Sequence, residues 1–177
     1  MNILLIILSA IVGLIALLLL IALFVKKDYV IEREITIGKP KADVFNYIKH
    51  LKNQDHYSKW VMTDPNMNKT FTGTDGTEGF IYAWDSTNKA AGKGEQEIKN
   101  ITEGERLDVE VRFEKPFAGI ANTPMITEAI HANGTKLKWG MNGRSKYPMN
   151  LMNLFMAKML GKDLETSLTN LKIILEK

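Results

Sequence analysis

The sequence predicts an α+β domain, a curved antiparallel sheet of about seven strands wrapped around a long C-terminal helix, with one apolar helix ahead of it. Three observations carry this expectation. An uncharged aliphatic run opens the chain, from Ile3 to Val25. Alternating segments then follow one another with little helical pattern between them. The last part of the chain carries one continuous stripe, with Leu160, Leu164, Leu168, Leu171 and Leu175 at helical spacing.

The opening run makes a helix of roughly 34 Å, enough to cross a hydrocarbon core of about 30 Å with some tilt. A cleaved signal peptide fits it poorly: the start is Met1-Asn2, without a basic residue, and Leu23-Phe24-Val25 is a poor cleavage site. A buried core helix is rarely apolar on every face over such a length. Residues 1–27 are therefore expected to be an uncleaved transmembrane anchor and residues 28–177 one soluble domain. Lys26 and Lys27 follow the run and no Lys or Arg precedes it, which favours a cytoplasmic domain on a cell (inner) membrane.

The domain itself begins with Tyr29–Ile37, which alternates as a strand should. Gly38-Lys39-Pro40 ends it, and Val44, Phe45, Ile48 and Leu51 recur at helical spacing. After a turn-rich stretch containing His56 and Trp60, strands are expected at Lys69–Gly73, Gly79–Trp84, Lys89–Ile101 and Glu105–Phe113. Leu107, Val109, Val111 and Phe113 share one face of the last of these, and Asp108, Glu110 and Arg112 the other, as for a half-wetted sheet. Met125–Ala132 and Thr135–Asn142 read as a hairpin turning at Asn133-Gly134. The final helix is expected over Asn150–Glu176. A sheet that curves around a helix can leave a space between them.

Composition narrows the function. Net charge is +3 and the chain has no cysteine, so disulfides and thiolate metal sites are excluded. Acidic and basic residues are interspersed, without the basic stripe that nucleic acid demands. The three histidines, His50, His56 and His131, show no ligand spacing, and no metal or cofactor is expected. Glu95 and Glu97 share a strand face, which reads as a wet face rather than a paired-carboxylate site. Gly73–Gly79 and Gly92-Lys93-Gly94 read as turns, since neither leads into a helix with a Lys-Ser/Thr ending.

The apolar pattern is richer. Phe80, Tyr82 and Trp84 share one strand face, and Trp60, Phe71, Phe113, Trp139 and Met141 are expected to point the same way. Met152, Phe155, Met156 and Met159 lie on the helix that the sheet faces. Such residues either fill a core or line an apolar pocket for a hydrophobic ligand, for which soft methionine side chains are suited.

In its order of elements the chain resembles the helix-grip fold of the START-like, or SRPBCC, superfamily. In detail it resembles bacterial membrane-anchored members described as polyketide cyclase/dehydrase-like. The stretches that carry the resemblance include Glu34-Ile35-Thr36-Ile37-Gly38-Lys39-Pro40, Tyr57-Ser58-Lys59-Trp60 and Gly79-Phe80-Ile81-Tyr82-Ala83-Trp84. Further ones are Phe113-Glu114-Lys115-Pro116-Phe117, Leu137-Lys138-Trp139-Gly140-Met141-Asn142-Gly143 and Met159-Leu160-Gly161-Lys162-Asp163. The resemblance implies a hydrophobic small molecule or lipid held between sheet and helix, by Trp60, Phe71, Phe80, Tyr82, Trp84, Phe113, Trp139, Met141, Met152, Phe155 and Met156. The leading expectation is thus a membrane-anchored binding module, its partners the lipid bilayer (through residues 3–25) and that ligand. Two alternatives stand beside it. One is a cyclase or dehydratase with His56 or Tyr82 as acid/base; the other is a stress-response or interaction scaffold without catalysis.

Overall fold

The structure is a computed structural model, and it describes residues 2–177. Helix α1 (Ile3–Phe24) stands clear of the rest along almost its whole length; only Ala22 is buried. It is apolar on all sides and is the one helix among the described residues long and apolar enough to cross a membrane.

Strand β1 (Asp28–Ile37) follows α1 after three residues. Helix α2 (Lys41–Ile48) starts just after Pro40 and buries Val44, Phe45 and Ile48; its first turn carries Asp43, the favourable sign for a helix N-terminus. A 3₁₀ turn and the short helix α3 (Gln54–Tyr57) follow. Strands β2 (Asn68–Thr72) and β3 (Ile81–Asp85) are joined by a loop in which Gly73, Gly76 and Gly79 all take positive φ, as the sequence pattern anticipates. Then come β4 (Lys93–Thr102), β5 (Arg106–Lys115), β6 (Gly119–His131) and β7 (Gly134–Arg144). A 3₁₀ turn at Met149–Met152 leads into α4 (Asn153–Leu175).

All seven strands form one antiparallel sheet in the order β1-β7-β6-β5-β4-β3-β2. One face is dry. Ile31, Ile37, Leu137, Trp139, Met125, Leu107, Val109, Ile98, Phe80 and Tyr82 all lie on it and are buried. α4 closes this face over β1 with Leu164, Leu168 and Leu171, and its Ser167 accepts the Lys59 amide at 2.9 Å, tying the helix to the segment after α3. At the far end of β1, the Glu176 carboxylate accepts the Gly38 amide at 2.5 Å. α4 therefore runs alongside β1, away from α1.

The starts of β6 and β4 and the role of Gly94 differ from the expected ones. β6 begins at Gly119, not Met125, because Pro124 interrupts the sequence pattern without interrupting the strand. The β6–β7 register omits Pro124, and Gly140 opposite supplies room for its ring. β4 begins at Lys93, because Asn88–Gly92 closes into a turn, with the Gly92 amide donating to the Asn88 carbonyl at 2.9 Å. Gly94 is not a turn residue but an interior residue of β4.

Candidate functional site

The dry face of the sheet carries a continuous aromatic layer. Antiparallel register brings Phe71 opposite Tyr82, with ring centroids 5.1 Å apart, and Phe71 also stacks on Phe80 at 6.3 Å. Trp84 of β3 lies opposite Gly94 of β4, which lies opposite Phe113 of β5. A side chain at Gly94 would strike both the Trp84 ring and the Arg112 carbonyl, so glycine there lets the indole lie across the strand. Trp84 meets Phe113 edge-on at 6.3 Å, and its indole N–H donates to the Ala91 carbonyl at 3.0 Å. Such pairs contribute about 0.5–1.5 kcal/mol beyond their buried area.

A second cluster sits under the segment after α3. Trp139 of β7 meets Trp60 and Tyr57, each at 6.0 Å and edge-on. Tyr57 is fully buried and also touches Tyr47 at 6.2 Å. The pocket residues named from the sequence omit Tyr57, which stands three residues before Trp60. Neither the Tyr57 hydroxyl nor the Trp139 indole N–H has a hydrogen-bond partner among the described residues. A buried donor without a partner costs about 1–3 kcal/mol, so two in one cluster are notable.

Between the clusters lie polar groups that are satisfied. The Tyr82 hydroxyl donates to Asp55 at 2.8 Å, and Lys69 pairs with the other oxygen of Asp55 at 2.9 Å. The Gln96 amide donates to the Gln54 side-chain oxygen at 3.1 Å, and both residues are buried. Burial pushes Tyr57 far above the ordinary tyrosine range; burial and then the bond to Asp55 do the same for Tyr82.

The placement of the sequence-derived pocket residues divides in two. Trp60, Phe80, Tyr82, Trp84, Phe113, Trp139 and Met141 are buried or half-buried on the dry face or the segment covering it, and Met156 packs half-buried against them. Phe71 is on the same face but at the open edge, 39% exposed. Met152 and Phe155 are elsewhere: they stand 48% and 65% exposed, Met152 at the N-cap of α4 and Phe155 in its first turn, turned away from its buried row. The helical phase explains it, since Phe155 lies on the opposite side of α4 from Leu164 and Leu168. His56 is exposed, while its neighbour Tyr57 is buried, so His56 and Tyr82 do not share an environment. Glu95 and Glu97 lie on the wet face, where both bind the Arg112 guanidinium at 2.7 Å together with Glu110 at 2.6 Å. No group of three or more His, Cys, Asp or Glu side chains among the described residues is arranged to hold a metal ion.

The space expected between sheet and helix is occupied by side chains. Two surface hollows, of about 390 and 450 Å³, lie at the β1–β7–β6 end of the sheet and beside Lys41 and Arg106. Neither takes in any of the pocket residues named from the sequence.

No protein-family model matches the chain, and no curated protein matches it by sequence. Solved structures do match by shape. Norcoclaurine synthase from Thalictrum flavum, in complex with dopamine and hydroxybenzaldehyde, superimposes with a TM-score of 0.64 at 10% identity, covering 84% of this chain and 86% of the synthase. Protein CV1439 from Chromobacterium violaceum gives 0.60 at 13% identity, over 84% of this chain and 97% of its own. The Aha1 dimer from Colwellia psychrerythraea gives 0.58 at 13% identity, over 84% and 96%. Seven antiparallel strands gripping a long terminal helix, with neighbours of this kind, give the chain a helix-grip fold.

Proposed function

We propose that this protein is a membrane-anchored binding module for a hydrophobic small molecule or lipid, held between the dry face of the sheet and α4. The observation that carries this reading is the pair of buried, unpartnered donors in the aromatic cluster, the Tyr57 hydroxyl and the Trp139 indole N–H. A hydrophobic molecule carrying one carbonyl, ester or carboxyl oxygen would accept from them while its apolar part lies on the rings. Pockets of this kind are mostly apolar, with a few placed polar groups. Room is made by side chains already half-buried at the rim: Trp60, Trp84, Phe113, Met156 and Leu160. One relative in shape adds support, since norcoclaurine synthase was solved with two small aromatic ligands.

In the same reading α1 spans the bilayer, and Lys26 and Lys27 place the domain on the cytoplasmic side. The absence of cysteine makes the sidedness simple to test: a single cysteine placed at Lys99 should label in broken cells but not in intact ones. The cyclase reading gains nothing from the geometry, since His56 is exposed and the Tyr82 hydroxyl is committed to Asp55.

The test uses the full chain in phosphatidylcholine nanodiscs, with cis-parinaric acid as the probe and empty discs as the blank. Energy transfer from Trp60, Trp84 and Trp139 should saturate with added probe. The pair Tyr57→Phe and Trp139→Phe should weaken binding about tenfold, the equivalent of about 1.4 kcal/mol. No saturable transfer above the blank, or binding indifferent to both substitutions, would overturn the proposal.

A further inference from the structure

The end of α1 does not hang free. Asn150 donates its side-chain amide to the carbonyls of Ala22 and Val25, at 2.6 and 2.8 Å. Asn153 donates to those of Lys26 and Lys27, both at 3.0 Å. The Ser145 amide also reaches the Lys27 carbonyl at 2.9 Å, and its hydroxyl holds Asn153 at 2.7 Å. A helix leaves its last four carbonyls without internal partners, and here the domain supplies donors to Ala22 and to the C-cap Val25. Asn150 is fully buried by the arrangement. The joint between anchor and domain is therefore a clasp, not a tether.

The clasp also fixes a depth. The Tyr147 hydroxyl reaches the Leu19 carbonyl at 3.3 Å. Leu19 lies six residues inside the apolar run that ends at Val25, or about 9 Å along a helix. A domain sitting wholly above the bilayer could not touch that carbonyl. The residues around this contact suit the boundary layer. Tyr147, Met149, Met152 and Phe155 are all 40% exposed or more, on one continuous stretch. Lys26, Lys27, Arg144 and Lys146 surround them, also exposed, and can extend to the phosphate level.

We infer that Tyr147, Met149, Met152 and Phe155 form an interfacial shelf, seated in the headgroup–acyl boundary of the leaflet from which α1 emerges. This rests on the reading above that α1 spans the bilayer. Because α4 runs away from the anchor toward Gly38, contact fades along the helix from Met152 to Met159. The shelf accounts for Met152 and Phe155 facing away from the core: bilayer, not ligand, covers them. It also holds the half-buried Met156 rim beside the lipid from which a hydrophobic ligand would come.

The cysteine-free full chain permits a direct test in phosphatidylcholine–phosphatidylglycerol vesicles. Single cysteines replace Ile11, Met152, Phe155, Met159, Lys99 or Ile173, each labelled with a nitrobenzoxadiazole dye. Lipids carrying a doxyl quencher near the headgroup or deep in the chain report depth. Ile11→Cys should be quenched by the deep quencher. Met152→Cys and Phe155→Cys should be blue-shifted and quenched at least twofold more by the shallow quencher than Lys99→Cys. Met159→Cys should fall between, and Ile173→Cys, exposed and apolar but at the far end of α4, should match Lys99→Cys. Quenching at Ile11 with Met152 and Phe155 no different from Ile173 would overturn the shelf and leave the span standing. No quenching at Ile11 would overturn both. A blue shift at Phe155 that follows protein concentration and ignores the lipid quenchers would mean a second copy covers this face, which also overturns the shelf.

Discussion

Tyr57 and Tyr82 lie in the same buried layer and differ in one bond. Tyr82 gives its hydroxyl proton to Asp55; Tyr57 gives its proton to nothing among the described residues. Removing the two oxygens should therefore have opposite consequences. Tyr82→Phe is expected to cost about 1–2 kcal/mol, because Asp55 loses a donor. Tyr57→Phe is expected to be neutral or stabilising by up to about 1 kcal/mol, because an unpaired buried group is removed. Urea unfolding of the two variants side by side checks the contrast. Both hydroxyls also bear on pH. Each is harder to ionise in the folded chain than in the unfolded one, where the value is about 10. Their contribution is thus complete below about pH 10 and is lost above it, as the unfolded chain gains by ionising. The urea midpoint should stay level up to about pH 9 and fall toward about pH 11, with tyrosinate absorbance appearing only as the protein unfolds. Glu97 acts in the other direction. Arg112, then Lys99, hold its carboxyl below the usual range, so its small surface contribution is present at neutral pH and lost on acidification.

At the level of elements, the three adjacent strands β3, β4 and β5 depend on one missing side chain. Gly94 lies between Trp84 and Phe113, and a methyl group there would meet the indole ring and the Arg112 carbonyl at once. Neither is the free end of a flexible chain. Gly94→Ala is expected to destabilise by about 1–3 kcal/mol and to shift the tryptophan emission, both readable in one fluorescence-monitored urea titration. The strand pattern was legible because alternation survives in β1, β5 and β7. It failed at β6, where Pro124 resembles a break and only the neighbouring Gly140 makes it tolerable. It failed again at Gly94, which looks like part of a turn until its strand partners are known. The long helix was legible as an element, and its Leu160–Leu175 stripe does face the core, but the facing of its first half was not legible. Its first half has apolar residues on several sides, and periodicity alone does not say which side meets the sheet.

The whole molecule is one apolar helix and a domain, joined by a short set of hydrogen bonds. α1 contributes only Ala22 to buried apolar surface, so the domain core is complete without it. A chain beginning at Asp28 is expected to keep the far-ultraviolet circular dichroism of the domain and to leave the membrane fraction. It should also self-associate, since Met149, Met152 and Phe155 would then face water. Centrifugal fractionation with light scattering checks both. Weakening the clasp instead, through Asn150→Ala, should keep the protein in the membrane while increasing protease sensitivity at Lys26 and Lys27, because the last α1 carbonyls lose their donors.

By itself the sequence determined the α+β class, the antiparallel run of strands, the terminal helix and the apolar segment at the start. These are local properties, written in periodicity and run length, and physical chemistry reads them without neighbours. Only the tertiary structure decided which aromatic residues share a layer, that Tyr57 and Trp139 meet with unpartnered donors, and that Asn150 and Asn153 clasp the end of α1. Those depend on register and helix rotation. A shift of one residue along a strand, or about 100° around a helix, moves a side chain from core to solvent, and distant parts of the chain set both.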